Sequence, residues 1–250
     1  MKNKSILLLS LSLLLSSALH ALPRIVVLGE SHARFGFSNY DQLHYYFPYN
    51  ETTGATFSIY EIFGKTMYSI GRNGLNIGSY GVNDYEIVLF VFGEIDVRAH
   101  IVKQRDEKGR DLEEILTSLV TNYINVINAN RRNYPHITCV VMEIMPPTNQ
   151  CFNPNIPFFG ELSDRAAIAK KLNSKLKDAC AQNNILFLPT HEIYAAPDGT
   201  LIPELSDGCV HTQHRYNYLL KNRLIQLLLA NNMRFNSLVE NTEEDITNEK

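Results

Sequence analysis

The 250-residue chain has no tryptophan and only four cysteines. So few cysteines exclude a disulfide-dense scaffold, and a chain this long must instead be held by an apolar core. It is also short of charge. Charged residues make up 20%, the net charge is −3, and no basic excess offers a footprint for nucleic acid. Internal repeats are missing. After the N-terminal leucine run, no segment is apolar enough to span a bilayer. No Gly-rich phosphate fingerprint follows the first apolar run, which argues against a nucleotide-binding module of the flavodoxin type.

What is present begins with a targeting segment. Lys2 and Lys4 precede the apolar stretch Ile6 to Leu15, and small residues follow, with cleavage expected after Ala18 or Ala21. Residues 1–21 therefore read as a signal peptide, residues 22–235 as one domain, and residues 236–250 as a disordered acidic tail. Export to the periplasm or the extracellular space is the expectation. With no cysteine near the cleavage region to take a lipid, no stable membrane anchor is expected. Removing the leader takes away two lysines and no acid, leaving 21 basic against 26 acidic residues and a net charge of −5.

The remaining chain alternates β-branched runs with helical patterns. Segments 24–29, 65–70, 86–92, 137–144 and 185–189 read as five strands, several of them apolar throughout, as strands covered on both faces are. Asp111 to Arg132 carries apolar residues at helical spacing, a second helix opens with Ser163 as its cap, and Leu219 to Leu229 supports a last one. This alternation predicts an α/β fold: a doubly wound parallel sheet of five strands in a three-layer α/β/α sandwich. In such sheets ligands bind beyond the carboxyl ends of the strands, so residues just after an apolar run are the candidates.

Three segments qualify. Gly29-Glu30-Ser31-His32 closes the first strand, and Ser31 stands either as an exposed nucleophile or as a helix cap. Ser206-Asp207-Gly208-Cys209-Val210-His211 precedes the last helix. A serine hydroxyl needs a histidine to remove its proton and an acid to orient that histidine, and Asp207 and His211 can supply both. His32 and His214 are rival bases. Gly93 to His100 follows the third strand and places Asp96, Arg98 and His100 in alternation, on one face if the segment is extended. A metal centre would need more ligands than this segment holds. Gly71 to Gly74 reads either as a tight turn or as a backbone donor to an anion.

Taken in order, these blocks resemble the SGNH (GDSL-like) hydrolase family, and the likeness runs from Ile25 to about Leu229. That resemblance implies a flavodoxin-like SGNH fold and an ester hydrolase with Ser31 as nucleophile, His211 as base and Asp207 as its partner. Gly74 is the best match to the family's second-block glycine. Supporting segments are Ile144-Met-Pro-Pro147 and the Asn173-containing helix. Two departures stand out. Glu30 replaces an aspartate, and Ile95 in Gly93-Glu-Ile-Asp96 stands where the oxyanion-stabilising asparagine belongs. Gly81-Val-Asn83-Asp84 matches that block letter for letter, but it precedes the third strand and so belongs to the wrong edge.

The oxyanion is then expected to rest on the N–H groups of Ser31 and Gly74, with Arg98 or His100 added, and Asp96 lining or bracing the cleft. Cys151 and Cys209, both in loops expected at the active edge, are expected to pair; Cys139 and Cys180 read as buried thiols. The chemistry needs no metal and no organic cofactor. The expected substrate is a small-molecule or glycan acyl ester, a lipid ester ranking second, and no nucleic-acid partner is expected. A fold-retaining binding protein and an acyltransferase onto sugar hydroxyls are the alternatives.

Overall fold

The computed structural model describes residues 24–38, 49–50, 56–149, 151, 153, 155–231 and 233; the leader and the acidic tail lie outside them. Six strands form one sheet: β1 (Arg24–Gly29), β2 (Tyr49–Asn50), β3 (Thr56–Glu61), β4 (Ile87–Val91), β5 (Thr138–Met142) and β6 (Leu186–Leu188). Their order is β2-β3-β1-β4-β5-β6. Five strands are parallel, and β2 adds an antiparallel edge. The parallel strands follow the doubly wound 2-1-3-4-5 order, whose direction of winding reverses between β1 and β4.

Helices cover both faces: α1 (Ser31–Phe37), α2 (Met67–Asn73), α3 (Ile101–Asp106), α4 (Leu112–Asn133), α5 (Leu162–Gln182), α6 (His191–Tyr194) and α7 (Asn217–Ala230). Successive side chains of the central strands part to opposite sides. Val26, Leu28, Val88 and Phe90 join a core with α2, α4 and α5. Ile25, Val27, Ile87 and Leu89 join a second one with α1 and α7. Each such fully buried side chain is worth about 1.5–3 kcal/mol in transfer free energy.

One predicted strand is a helix. Residues 65–70 hold the start of α2, because Thr66 and Ser69 form a reciprocal capping box and Met67 and Ile70 bury one face three residues apart. The second parallel strand is β3, whose Phe57 and Ile59 face one core while Tyr60 packs on the other. Asp111, not the first helical residue, caps α4, and α5 begins at Leu162 without a side-chain cap, so Ser163 lies inside it.

Candidate active site

Ser31 is the first residue of α1, directly beyond the carboxyl end of β1 and beside the point where the winding reverses. The turn into it depends on Gly29. A Cβ there would lie 2.4 Å from the Val91 carbonyl oxygen and 2.8 Å from the Ala33 Cβ, so only glycine lets β1 and β4 approach so closely. His211 comes from the loop before α7, closed by a bridge between Ser206 and Thr212. Its Nε2 lies 2.8 Å from Ser31 Oγ, and its Nδ1 lies 3.2 Å from Asp207 Oδ2. With Nδ1–H donating to the carboxylate, Nε2 presents a lone pair to the serine hydroxyl.

The other carboxylate oxygen of Asp207 accepts the N–H groups of Cys209 at 2.8 Å and His211 at 3.2 Å. Burial pushes this carboxyl up, but the hydrogen bonds from His211 and Cys209 prevail and hold it below its ordinary value. Asp207 is thus held ionised, as an orienting partner must be. A disulfide joins Cys209 to Cys151 across 58 positions and fastens the tip of this loop to the loop after β5. Cys139 and Cys180 are buried free thiols. Phe35, one helical turn from Ser31, stacks on the His211 ring at 3.9 Å between centroids and 6° between planes. Sequence reasoning missed this residue, although its i, i+4 spacing from Ser31 places it on the same helix face.

Below the pair lies a buried polar cluster. Glu30 accepts the N–H groups of Glu94 at 2.8 Å and Ile95 at 3.4 Å, pinning the segment after β4 to the residue before Ser31. Burial, then the neighbouring charges of Glu94 and Asp96, raise the Glu30 carboxyl well above its usual range. His32 bonds to the Val210 carbonyl oxygen through Nε2 at 3.0 Å, so this rival base faces away from Ser31. Burial and the neighbouring His211 lower it to about 3, so it is neutral at pH 7. His214, the other rival, stacks on Phe35 at 5.0 Å. Ligand atoms of Glu30, His32 and Glu94 lie within 4.8 Å of one another, the arrangement among the described residues most open to a metal ion. The donors already on these carboxylates, two N–H groups on Glu30 and Arg98 on Glu94, occupy much of their capacity.

The segment after β4 corrects three expectations. It is not extended: Asp96–His100 forms a π-helical turn running on into α3, so Arg98 does not share the face of Asp96 and His100. Asp96 binds the N–H groups of Met67 at 2.7 Å and Tyr68 at 3.3 Å, fastening the start of α2. Burial moves its carboxyl up to about 7. The Arg98 guanidinium is committed to Glu94 at 2.6 Å and to the Pro157 carbonyl oxygen at 2.8 Å, not to the serine. His100 is exposed. Gly74 is the fourth correction. It ends α2, about 10 Å from the end that Asp96 holds, and the next residue's carbonyl oxygen accepts from Asn130 near the far end of α4. Gly64, in the loop after β3, lies at the carboxyl edge instead; its φ is +68° and a Cβ added there would meet nothing within 4 Å.

No protein-family profile and no curated protein sequence matches this chain. Solved structures do. A candidate platelet activating factor from Streptococcus pneumonia superposes with a TM-score of 0.58 at 15% identity, covering 91% of this chain and all of its own. A candidate lipolytic protein of the G-D-S-L family from Desulfitobacterium hafniense gives 0.54 at 13% identity, covering 82% and 99%. An acetylxylan esterase from Geobacillus stearothermophilus gives 0.50 at 12% identity, covering 84% and 96%. This chain has the three-layer fold of the SGNH (GDSL-type) hydrolases. Within that fold, its Ser31, His211 and Asp207 converge at the sheet edge where ligands bind.

Proposed function

We propose that this protein is an exported serine esterase acting on an acyl ester, with an acylated glycan as the preferred substrate class. The observation that carries the reading is the continuous Asp207–His211–Ser31 hydrogen-bond chain. Ser31 Oγ attacks the ester carbonyl while His211 Nε2 takes its proton, then returns it to the departing alcohol oxygen. Water, deprotonated by the same histidine, attacks the acyl-serine carbonyl, and His211 passes that proton to the departing Ser31 Oγ as the acid is released. The N–H of Ser31, one of the unpaired donors that open α1, and the backbone of the Gly64 loop are the oxyanion donors in this reading. The glycan preference draws on the expected export and on the likeness to an acetylxylan esterase.

Ile95 favours a second reading. An isoleucine side chain offers no donor, and losing one oxyanion donor costs ~10²–10³ in rate, so a slow enzyme or a fold-retaining binding protein is the alternative. A fluorophosphonate probe separates the two. The esterase reading expects covalent labelling at Ser31, absent in Ser31→Ala, together with acetate release from acetylated xylo-oligosaccharides. An unlabelled, correctly folded wild type overturns it.

A further inference from the structure

A cavity of about 300 Å³ opens beside the crevice, between α2, the π-helical turn with α3, and the first half of α4. Asp96 is one of its lining residues. Two residues before Asp96, Glu94 is bonded through its N–H to Glu30, the neighbour of the serine. The cavity is thus tied through this segment to the candidate active site, while Ser31, Asp207 and His211 are not among its lining residues. Its floor is apolar, formed by Ile115 and Leu119 of α4, both buried. Tyr68, 56% exposed, contributes an aromatic ring to the wall. Two amide side chains, Gln104 and Asn122, also line it.

The charge of the lining is one-sided. Arg72 contributes a guanidinium that makes no hydrogen bond or ion pair among the described residues. Arg110 contributes a second, whose contact with Glu114 is a solvent-exposed one at 3.5 Å. Against these stands one acid, Asp96, and both of its oxygens are already taken by the N–H groups of Met67 and Tyr68. Two guanidinia facing a small space suit a planar or tetrahedral oxyanion, which they can grip in bidentate fashion. An aromatic ring with amide donors over an apolar floor suits the face and hydroxyls of a sugar ring.

We propose that this cavity binds an acidic sugar unit of the substrate, its anion a carboxylate or a phosphate held by Arg72 and Arg110. The assignment rests on the esterase reading for the word substrate, and on the cavity alone for the ligand. It selects acidic glycans among the esters that Ser31 attacks.

The test is direct binding to the full-length Ser31→Ala protein, which cannot turn over, measured by isothermal titration calorimetry. Methyl β-glucuronide, glucose 6-phosphate and neutral methyl β-glucoside are the probes. One or both anionic sugars should bind at least tenfold more tightly than the glucoside, and whichever does so identifies the anion. Arg72→Gln with Arg110→Gln should erase that difference, and Ser118→Trp, which fills the cavity from an exposed helix position, should weaken all binding. In the catalytically intact chain, the preference in kcat/KM for an acetylated acidic sugar over its neutral counterpart should fall about tenfold in the arginine variant. Equal binding of charged and neutral sugars, or an anion preference unchanged in the arginine variant, overturns the proposal. Anion-selective binding without any ester turnover would sustain the cavity and refute the esterase.

Discussion

Two Gly-x-x-Asp segments bracket β4, and they carry opposite lessons. Gly81-Val-Asn83-Asp84 has every letter of an oxyanion block, yet it lies before the strand, at the amino edge. Its chemistry is spent on structure: the Gly81 carbonyl oxygen accepts from Arg24, and the Asn83 N–H donates to Glu86 at 2.9 Å. Gly93-Glu94-Ile95-Asp96 lacks the asparagine, yet it lies after the strand, bonds to Glu30 and fastens α2. Direction along a parallel sheet decides which segment meets a ligand; composition decides only what it can do there.

The comparison breaks most sharply at the serine. Ser31→Ala and His211→Ala should each lower kcat for an activated ester by at least about 10³, and the double variant should be little worse than either, because the two side chains act as one device. Additive losses would show that the hydrogen bond at 2.8 Å does not operate in turnover.

At the carboxyl-edge segment, Glu30→Ala strands the buried N–H group of Glu94 and the half-buried one of Ile95. The cost should be on the order of 2 kcal/mol in urea unfolding, with a fall in kcat as Ser31 loses its support. A neutral result would show that water replaces the carboxylate.

A pH series sharpens the contrast between His32 and an exposed histidine. The His32 pKa is about 3 in the folded protein against an ordinary 6.5, so between those values the unfolded chain binds more protons. The stability that neutral His32 contributes is complete above pH 6.5 and is lost as the pH falls towards 3. The Tm deficit of His32→Gln should therefore be widest at pH 7 and narrow on acidification. A deficit that stays constant down to pH 4 contradicts this.

The smallest effect belongs to the amino edge. Asn83→Ala removes an exposed side chain, and kcat should change less than about twofold, since surface changes away from a site are close to neutral. A large loss would return the letter-perfect segment to candidacy.

Much of this was legible in the residues, for physical reasons. Apolar runs at 24–29 and 87–91 have no alternative to a doubly covered sheet. The placement of Ser31, Asp207 and His211 follows from strand direction once those runs are recognised. The misplaced second strand had a readable signal too. Phe57 and Ile59 alternate with polar neighbours, while Thr66 and Ser69 spell a helix start, and the β-branched Thr66 and Ile70 disguised it. Gly74 failed as a consequence of that error.

The commitments of Arg98 and Asp96 were not legible. An i, i+4 pair with Glu94 exists only in a helical turn, and alternation of charge suggested an extended one. Nor does sequence reveal that Glu30, one methylene longer than aspartate, reaches two backbone donors across the switch point.

The disulfide has a topological consequence. By linking Cys151 to Cys209 it turns α5, β6 and α6 into a covalent ring with His211 just outside its clasp. A protease that cuts once inside the ring, for example at the Asn183–Asn184 turn, produces two polypeptides that remain one molecule, with the His211 loop still moored. Only a second event, reduction of the clasp, lets the carboxyl-terminal piece leave and carry the histidine away from its serine.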